Sequence, residues 1–189
     1  PITPSTIRIS FVKGVTGTIQ DTNWKAQADT AVTWGAKESR SEVQLLTDRI
    51  LIRVEKANGA VQFLSRDGKK LLTENPSEPR LLLDSQTWNF FAWDKNERLK
   101  SKGVLADDFM DLSTKARYIS FGQKKLRMPL VLSNKGYAIG VAAESTVLFC
   151  NVRTYGQYIY TQGTGQIDYY FIYDENQERN IEQYLNLPV

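Results

Sequence analysis

The sequence predicts an all-β protein, a large antiparallel β-sandwich with a short C-terminal helix. Two observations support this fold class. Short runs of apolar or alternating residues, separated by turn residues such as Gly, Pro and Asn, recur along nearly all of the 189 residues. Only the segment 175–185 places its apolar residues at helical spacing. The length suits a single domain over 1–189, because no internal repeat or linker divides the chain.

The N-terminal part contains three predicted strands. Residues 6–12 alternate polar and apolar side chains, as a half-buried strand does. The segment 14–22 is rich in Gly and Thr and is predicted to be a loop. Two further short strands are predicted at 31–34 and 42–46.

The clearest local pattern is a three-stranded antiparallel meander. Its predicted strands are 49–55, 60–64 and 70–73. They are separated by Asn58-Gly59 and Asp67-Gly68, and both dipeptides tolerate the positive φ angles that tight hairpin turns require.

The rest of the chain is interrupted by turn signals in the same way. Residues 75–79 contain two prolines and end the meander, and 94–125 is predicted to hold long loops. The other predicted strands are 81–83, 87–93, 128–133, 137–143, 146–152, 158–160 and 166–173. The terminal helix is predicted to begin after Asp174 as its N-cap. The apolar residues of this helix are Ile181, Tyr184 and Leu185.

The composition excludes several classes of function. The chain has no His, which excludes Ser-His and Cys-His nucleophilic pairs and His-ligated metals. The single cysteine, Cys150, lies in an apolar run and is predicted to be a packed core thiol. The net charge of +3 is spread along the chain, which argues against nucleic-acid binding. No apolar run approaches the roughly 20 residues that span a bilayer, and the start at Pro1 without a Met indicates a fragment boundary.

The best candidate for acid–base chemistry is a group of carboxylates formed by Asp107, Asp108, Asp111 and nearby Glu97. Adjacent residues on a strand point to opposite faces, so we interpret the group as a solvated loop with one or two capping carboxylates. A calcium site is the alternative interpretation, but the spacing of an EF-hand loop is missing. We therefore predict no metal site and no cofactor.

The tyrosine-rich strand 166–173 is a candidate binding feature. Tyrosine rings stack well on flat ligands such as sugar rings. Alternate side chains of a strand face the core, so about half of these rings are interpreted as packing. The remaining rings are candidates for contact with a sugar.

Four segments follow one another in an order that resembles a known family. They are Thr6-Ile-Arg-Ile-Ser-Phe11, Arg49-Ile-Leu-Ile-Arg-Val54 with the turn Asp67-Gly68-Lys69, Met128-Pro-Leu-Val-Leu-Ser-Asn-Lys-Gly-Tyr-Ala-Ile-Gly140, and Ile167-Asp-Tyr-Tyr-Phe-Ile172. Together they resemble the N-terminal β-sandwich of glycoside hydrolase family 31, the family of α-glucosidases and α-xylosidases. The third segment is similar to the family's Pro-x-x-x-Ser-x-x-Gly-Tyr-Gly, and the fourth to its Asp-Tyr-Tyr-Phe strand. The resemblance covers almost the whole chain and implies a galactose-mutarotase-like supersandwich.

The chain departs from the family pattern in two places. The family commonly carries Glu-x-x-Tyr-Gly-Leu-Gly, of which only Glu97 and Gly103 match well here. A Gly is usual after the Asp-Tyr-Tyr-Phe strand, where this chain has Asp174.

The resemblance implies a chain that is not itself catalytic. The family's nucleophile and acid/base are Asp residues on a (β/α)8 barrel that follows this domain. Its nucleophile motif, Trp-x-Asp-Met, is missing from the sequence, since Trp93-Asp94-Lys95 lacks both the spacing and the Met. We therefore expect a non-catalytic N-terminal domain, whose partners are that barrel in the same polypeptide and the carbohydrate substrate.

In the family, one loop of this domain helps to shape the substrate pocket. By position, that loop is the segment before Met128, and the resemblance implies Phe121 and Gln123 as residues that face the sugar. The alternative for this segment is an ordinary exposed hairpin.

Two other functions were weighed against this one. A stand-alone carbohydrate-binding module is expected to present a planar row of exposed Trp or Tyr rings. An exposed apolar patch would instead indicate the contact with the barrel. A mutarotase-like epimerase needs acid–base residues that include His, and the absence of His argues against it.

Overall fold

The computed structural model of the protein describes residues 1–12, 14, 32–102, 109–120, 129–143, 146–163 and 165–187. The first strands in chain order are β1 (Thr6–Val12), β2 (Trp34–Glu38), β3 (Glu42–Thr47), β4 (Ile50–Glu55), β5 (Val61–Ser65), β6 (Lys70–Thr73), β7 (Arg80–Leu83) and β8 (Gln86–Phe90). They are followed by β9 (Leu99–Lys102), β10 (Phe109–Asp111), β11 (Ala116–Ser120), β12 (Leu130–Ser133), β13 (Tyr137–Val141), β14 (Val147–Val152), β15 (Gly156–Gln162), β16 (Gln166–Tyr173) and α1 (Gln177–Leu185).

The strands form three antiparallel sheets, which confirms the predicted all-β class. The first sheet has the order β1-β16-β13-β12-β9-β10, and the second has the order β11-β14-β15-β8-β7. The third sheet is β2-β3-β4-β5-β6, in which each strand pairs with its neighbour in sequence. No helix in the described part of the chain is long and apolar enough to cross a membrane.

The predicted meander is confirmed as β4, β5 and β6 of the third sheet. Its turns use the two glycines as predicted, since Gly59 and Gly68 have φ angles of 73° and 87°. Asn58 keeps a negative φ and acts through its side chain instead. Its Oδ1 accepts from the Ala60 N–H over 3.0 Å, so the asparagine closes the turn by a hydrogen bond rather than by a left-handed backbone.

Two sequence predictions about the strands are corrected. The segment 94–125 was predicted to hold long loops, but the structure places β9, β10 and β11 there. Leu99 and Ser101 are the inward residues of β9, and Ser101 is fully buried and donates its hydroxyl to the Leu130 carbonyl over 2.7 Å. Because β9 has a polar residue where a strand pattern shows an apolar one, only its pairing with β12 identifies it. The strand predicted at 31–34 begins only at Trp34 and continues to Glu38.

The second and third sheets join into one layer that faces the first sheet. Glu74, just after β6, forms an isolated bridge with Phe91, just after β8. On either side of the bridge, the Asn75 N–H donates to the Phe90 carbonyl and the Ala92 N–H donates to the Thr73 carbonyl, each over 2.9 Å. Side chains of all three sheets belong to one continuous buried cluster, so the molecule is a two-layer sandwich.

A chain of aromatic rings runs through the interior of the sandwich. Phe63 of the third sheet stacks on Phe171 of the first sheet, with ring centroids 4.0 Å apart. Trp93 lies between Phe91 and Phe149, with centroid distances of 4.9 and 4.8 Å. Phe149 belongs to the second sheet, so the rings connect all three sheets across the core.

Helix α1 covers the opposite face of the first sheet. A second buried cluster lies beneath it and includes Leu132, Tyr170 and Tyr184. The predicted N-cap is wrong by two residues, because Asn176 caps the helix by accepting from the Glu178 N–H over 2.9 Å. Asp174 accepts from the Asn176 N–H over 2.9 Å, so it orders the turn before the helix.

Candidate functional site

Strand ends from both layers lie at one end of the sandwich. Strand registers place the β-strand ends Val12, Ser120, Val147 and Gln166 together there, and we refer to this as the loop end. The predicted sugar-facing residues Phe121 and Gln123 lie outside the described residues. The segment that holds them leaves the second sheet at Ser120, and the chain enters the first sheet at Leu130. Its role as a pocket loop and the alternative of an ordinary exposed hairpin both remain predictions.

Glu97 is the centre of a buried polar network. Its Oε1 accepts from the Ser133 hydroxyl over 2.6 Å and from the Tyr137 hydroxyl. Its Oε2 lies 3.1 Å from Lys135 Nζ and accepts from the Asp94 N–H over 3.3 Å. Burial, reinforced by the charge of Glu97, raises the pKa of Tyr137 well above its ordinary value. With all four donors engaged, Glu97 holds β9 to β12 and β13 and is not a free acid or base.

Lys135 connects this network to the surface. Its ammonium group faces Glu97 and also donates to Asp94, whose side chain is 61% exposed. Burial acts to lower the pKa of Lys135, but the hydrogen bonds and charges of the two carboxylates raise it overall. The hydrogen bond from Lys135 holds the pKa of Asp94 below its usual value. Lys135 and Asp94 therefore stay charged near neutral pH.

The predicted carboxylate group does not assemble among the described residues. Asp107 and Asp108 lie outside them, and Asp111 is exposed and accepts from the Ser113 N–H over 3.0 Å. That backbone hydrogen bond lowers the pKa of Asp111. This is the capping role predicted for the group. In the described ranges, no set of three or more acidic or cysteine side chains is placed to hold a metal ion.

Two of the family-like segments meet in the first sheet. Arg8 in β1 and Asp168 in β16 form a bidentate pair, with Nε–Oδ1 and Nη2–Oδ2 distances of 3.0 and 2.7 Å. The carboxylate is almost completely buried, whereas the guanidinium keeps some exposure and lies over the Tyr170 ring. The Arg-containing strand and the Asp-Tyr-Tyr-Phe strand are thus adjacent partners, although 160 residues separate the two side chains.

A second buried carboxylate, Glu74, lies in the seam between the second and third sheets. It accepts from Arg80, from the Val61 N–H over 2.9 Å, from the Tyr169 hydroxyl over 2.8 Å and from Asn89 Nδ2 over 3.2 Å. Burial raises the pKa of Glu74, and the charge of Arg80 opposes that rise. Sequence reasoning missed this network, because its members come from β5, β7, β8, β16 and a turn.

The tyrosine-rich strand does not present rings to solvent. Tyr169 and Tyr173 face the interior of the sandwich, and Tyr170 lies in the cluster beneath α1. The interpretation that half of these rings could contact a sugar is therefore wrong, because both faces of β16 are covered. Cys150 is 1% exposed with its thiol 3.5 Å from the Gly156 carbonyl, which confirms the predicted core thiol.

A row of exposed and half-buried large side chains crosses the outer face of the second sheet. Pairing registers align one residue from each strand, and we call this row the aromatic face: Tyr118, Leu148, Tyr160, Trp88 and Leu81. Tyr118 and Leu81, at its two ends, are 47% and 37% exposed. Trp88 and Tyr160 are half-buried, with centroids 4.9 Å apart and planes inclined by 50°. The residue pattern of a single strand gives little sign of this row, since the row depends on four pairing registers.

Comparison with known proteins identifies the fold. No protein-family model and no curated protein sequence matches the chain. Among solved structures, a GH31 α-xylosidase from a soil metagenome, complexed with xylose, matches with a TM-score of 0.73 and 18% identity. A GH31 dextranase from Flavobacterium johnsoniae, complexed with isomaltotriose, matches with a TM-score of 0.78 and 17% identity. The cycloalternan-forming enzyme of Listeria monocytogenes, in complex with a pentasaccharide substrate, matches with a TM-score of 0.75 and 15% identity.

The coverage of these matches is strongly unequal. They include 97%, 99% and 98% of this chain, but only 31%, 25% and 19% of the three enzymes. This chain therefore shares its fold with a part of each much longer protein, and spans less than a third of their length.

Proposed function

We propose that this chain is the non-catalytic N-terminal domain of a glycoside hydrolase of family 31, an α-glucosidase-like retaining enzyme. In this proposal the domain packs against a (β/α)8 barrel of the same polypeptide. The barrel cleaves the glycosidic bond, and the domain supports it and narrows the entrance to its pocket. The unequal coverage supports the proposal, because a fold shared with part of a long enzyme is expected of one domain of such an enzyme.

The observation that carries the proposal is the aromatic face. A row of five apolar side chains left open on a sheet face is a surface suited to a protein partner. A sugar-binding platform needs exposed rings in one plane, whereas Trp88 and Tyr160 are half-buried and inclined by 50°. The geometry thus favours a packed contact with the barrel over a stand-alone carbohydrate-binding module.

The loop end is the proposed contribution to the substrate pocket. Phe121 and Gln123 come one and three positions after Ser120 in the sequence, and Ser120 ends β11 at the loop end. We expect Phe121→Ala or Gln123→Ala in the full-length enzyme to raise the KM for an α-glycoside by about tenfold, as for one lost ring contact or hydrogen bond. Arg40→Ala, in the turn between β2 and β3, is the control and should leave KM unchanged.

The first test is the size of the native gene product. An immunoblot of the source cells should give a band several times larger than the 21.5 kDa of this chain, and the purified product should hydrolyse α-glucosides or α-xylosides. A native product of 21.5 kDa would refute the proposal.

The barrel contact is tested by hydroxyl-radical footprinting. Tyr118, Tyr160 and Trp88 should be labelled in the isolated 189-residue chain and protected in the full-length protein. Tyr155, which is 75% exposed on the turn between β14 and β15, is the control. Its labelling should differ less between the isolated chain and the full-length protein. Equal labelling of the aromatic face in the two proteins would contradict its role as the docking surface.

A further inference from the structure

A cleft of about 590 Å³ opens at the end of the sandwich opposite the loop end. Its walls are the turn between β14 and β15, the segment 93–97 and the ends of β8 and β6. Strands β14 and β15 reach the loop end at Val147 and Gln162 and reach this cleft at Asn151 and Gly156. Its volume lies within the range of about 300 to 1,000 Å³ that is typical of small-molecule sites. We call it the hairpin cleft.

Two amide side chains in the hairpin cleft are held in fixed orientation. Gln157 Nε2 donates to the Trp93 carbonyl over 3.1 Å and to Asn151 Oδ1 over 2.8 Å. These bonds leave Gln157 Oε1 as an acceptor and Asn151 Nδ2 as a donor. Neither atom has another partner within the described residues. A fixed acceptor beside a fixed donor matches two neighbouring hydroxyl groups, each of which can donate and accept.

The charged residues of the hairpin cleft balance one another. Asp94 and Glu97 contribute two negative charges, and Lys95 and Arg153 contribute two positive charges. Lys135 holds both carboxylates from behind, and it keeps the pKa of Asp94 low, so that group is available as an acceptor. Charges of both signs therefore line the cleft and neither sign dominates its surface, which suits a neutral ligand with many hydroxyl groups.

The remaining wall of the hairpin cleft is aromatic. Phe90 is half-buried, whereas Phe91 and Trp93 are buried and stacked with their centroids 4.9 Å apart. Since Trp93 lies between Phe91 and Phe149, the ring of this wall that a ligand can reach is Phe90. One apolar ring opposite a small number of fixed polar groups suits the C–H surface of a single sugar, whose edge carries the hydroxyls.

We propose that the hairpin cleft is a binding site for a neutral mono- or disaccharide. It lies at the end of the sandwich opposite Ser120, the last described residue before Phe121 and Gln123, so we treat it as a second site and not as a part of the proposed pocket entrance. The site is formed by this chain alone, and it does not depend on whether a catalytic barrel is present.

The site is tested by NMR on the isotope-labelled 189-residue chain. Titration with glucose, xylose and isomaltose should shift the side-chain amide signals of Asn151 and Gln157, and leave the signals of the third sheet in place. Gln157→Leu should weaken binding about tenfold, as expected for the loss of one well-placed hydrogen bond. Arg153→Ala, an exposed residue whose removal leaves the core intact, should weaken binding in the same direction.

The controls separate this site from general effects. Arg40→Ala removes an exposed arginine from the turn between β2 and β3 and should bind sugar as the wild type does. Unchanged amide signals with all three sugars would overturn the inference. So would equal affinity in the two cleft variants and the wild type, or binding of acidic sugars alone. The two proposals can fail separately. If sugar shifts the amide signals but the aromatic face is labelled equally in the isolated chain and in the full-length protein, the sugar site stands and the docking proposal is contradicted.

Discussion

Buried carboxylates are the main polar residues that organise the sandwich. Glu74, Glu97 and Asp168 are each 5% exposed or less, and each accepts hydrogen bonds from residues on other strands. A buried charge is tolerated only when it is paired and hydrogen-bonded, so these positions depend strongly on their partners. At the residue scale, the predictions therefore concern the loss of one charge from such a network.

Glu97→Gln tests the network around β9. The substitution keeps the shape of the side chain but replaces one carboxylate oxygen with an amide N–H₂ group. Both oxygens of Glu97 accept hydrogen bonds, so the new N–H₂ group must face a donor that Glu97 accepted from. We expect a loss of about 2 to 4 kcal/mol in the free energy of unfolding, measured by urea denaturation. Glu38→Gln is the control, because it removes the charge of an exposed partner of Lys56. Its urea midpoint should be almost unchanged. Similar losses in both variants would argue against a special role for the buried network.

Asp94→Asn tests the pH dependence of the Asp94–Lys135 pair. The pKa of Asp94 is lowered by Lys135 from 3.8, so the stabilisation is present above that value and is lost as the pH falls through the lower, folded-state pKa. Because Asp94 is largely exposed, solvent screening limits the effect to less than about 1 kcal/mol. Urea midpoints of wild type and variant should differ at pH 7 and converge below pH 3.8. A difference that grows on acidification would contradict this assignment.

At the scale of elements, turns and helix ends set the positions of the strands. Gly136 joins β12 to β13 with a φ of 87°, and its carbonyl accepts from Asn180 of α1 over 2.9 Å. Asn180 also donates to the Asp174 carbonyl over 2.7 Å, so one fully buried amide holds the helix against this turn. The turn of the Ser-x-x-Gly-Tyr segment is therefore the point at which the helix and the first sheet are joined.

Gly136→Ala and Gly68→Ala form a matched pair. Both glycines have a φ of 87°, so an added Cβ strains the backbone equally. At Gly68 the new Cβ meets open space, whereas at Gly136 it comes within 3.1 Å of the Asp174 carbonyl oxygen. We expect a loss of about 1 kcal/mol for Gly68→Ala and about 2 kcal/mol or more for Gly136→Ala. Thermal unfolding measures both, and equal losses would show that contact with the helix turn adds nothing.

At the scale of the whole molecule, the three sheets share one interior. The isolated bridge at Glu74 joins the second and third sheets, and Phe63, Phe171 and Trp93 belong to the same buried cluster. A core shared in this way leaves no sheet with an interior of its own, so the chain is expected to unfold as one unit.

Urea denaturation tests this cooperativity. Tryptophan fluorescence reports on all four tryptophans, including Trp93 in the core, Trp88 on the aromatic face and Trp34 in the third sheet. Far-UV circular dichroism reports on all the strands. The two probes should give coincident transitions with one midpoint. Separate midpoints would indicate that the third sheet, which contains only pairings between sequence neighbours, unfolds on its own.

The sequence by itself determined the fold class, most of the strands, the meander and the terminal helix. These features follow from local properties, namely the period of the apolar residues and the glycines that accept positive φ at Gly59 and Gly68. The same reasoning failed at β9, where one of the two inward residues is the polar Ser101, and at the helix N-cap, where Asn176 and Asp174 are both suitable capping residues.

Only the tertiary structure decided which residues meet. It placed Tyr170 in a covered cluster, aligned the five residues of the aromatic face and brought Arg8 to Asp168 across 160 positions. The position of Phe121 and Gln123 relative to a substrate remains a prediction of the family resemblance. Strand order and register are set by packing between segments far apart in the chain. A pattern within one segment carries the direction of its side chains but not the identity of its neighbours.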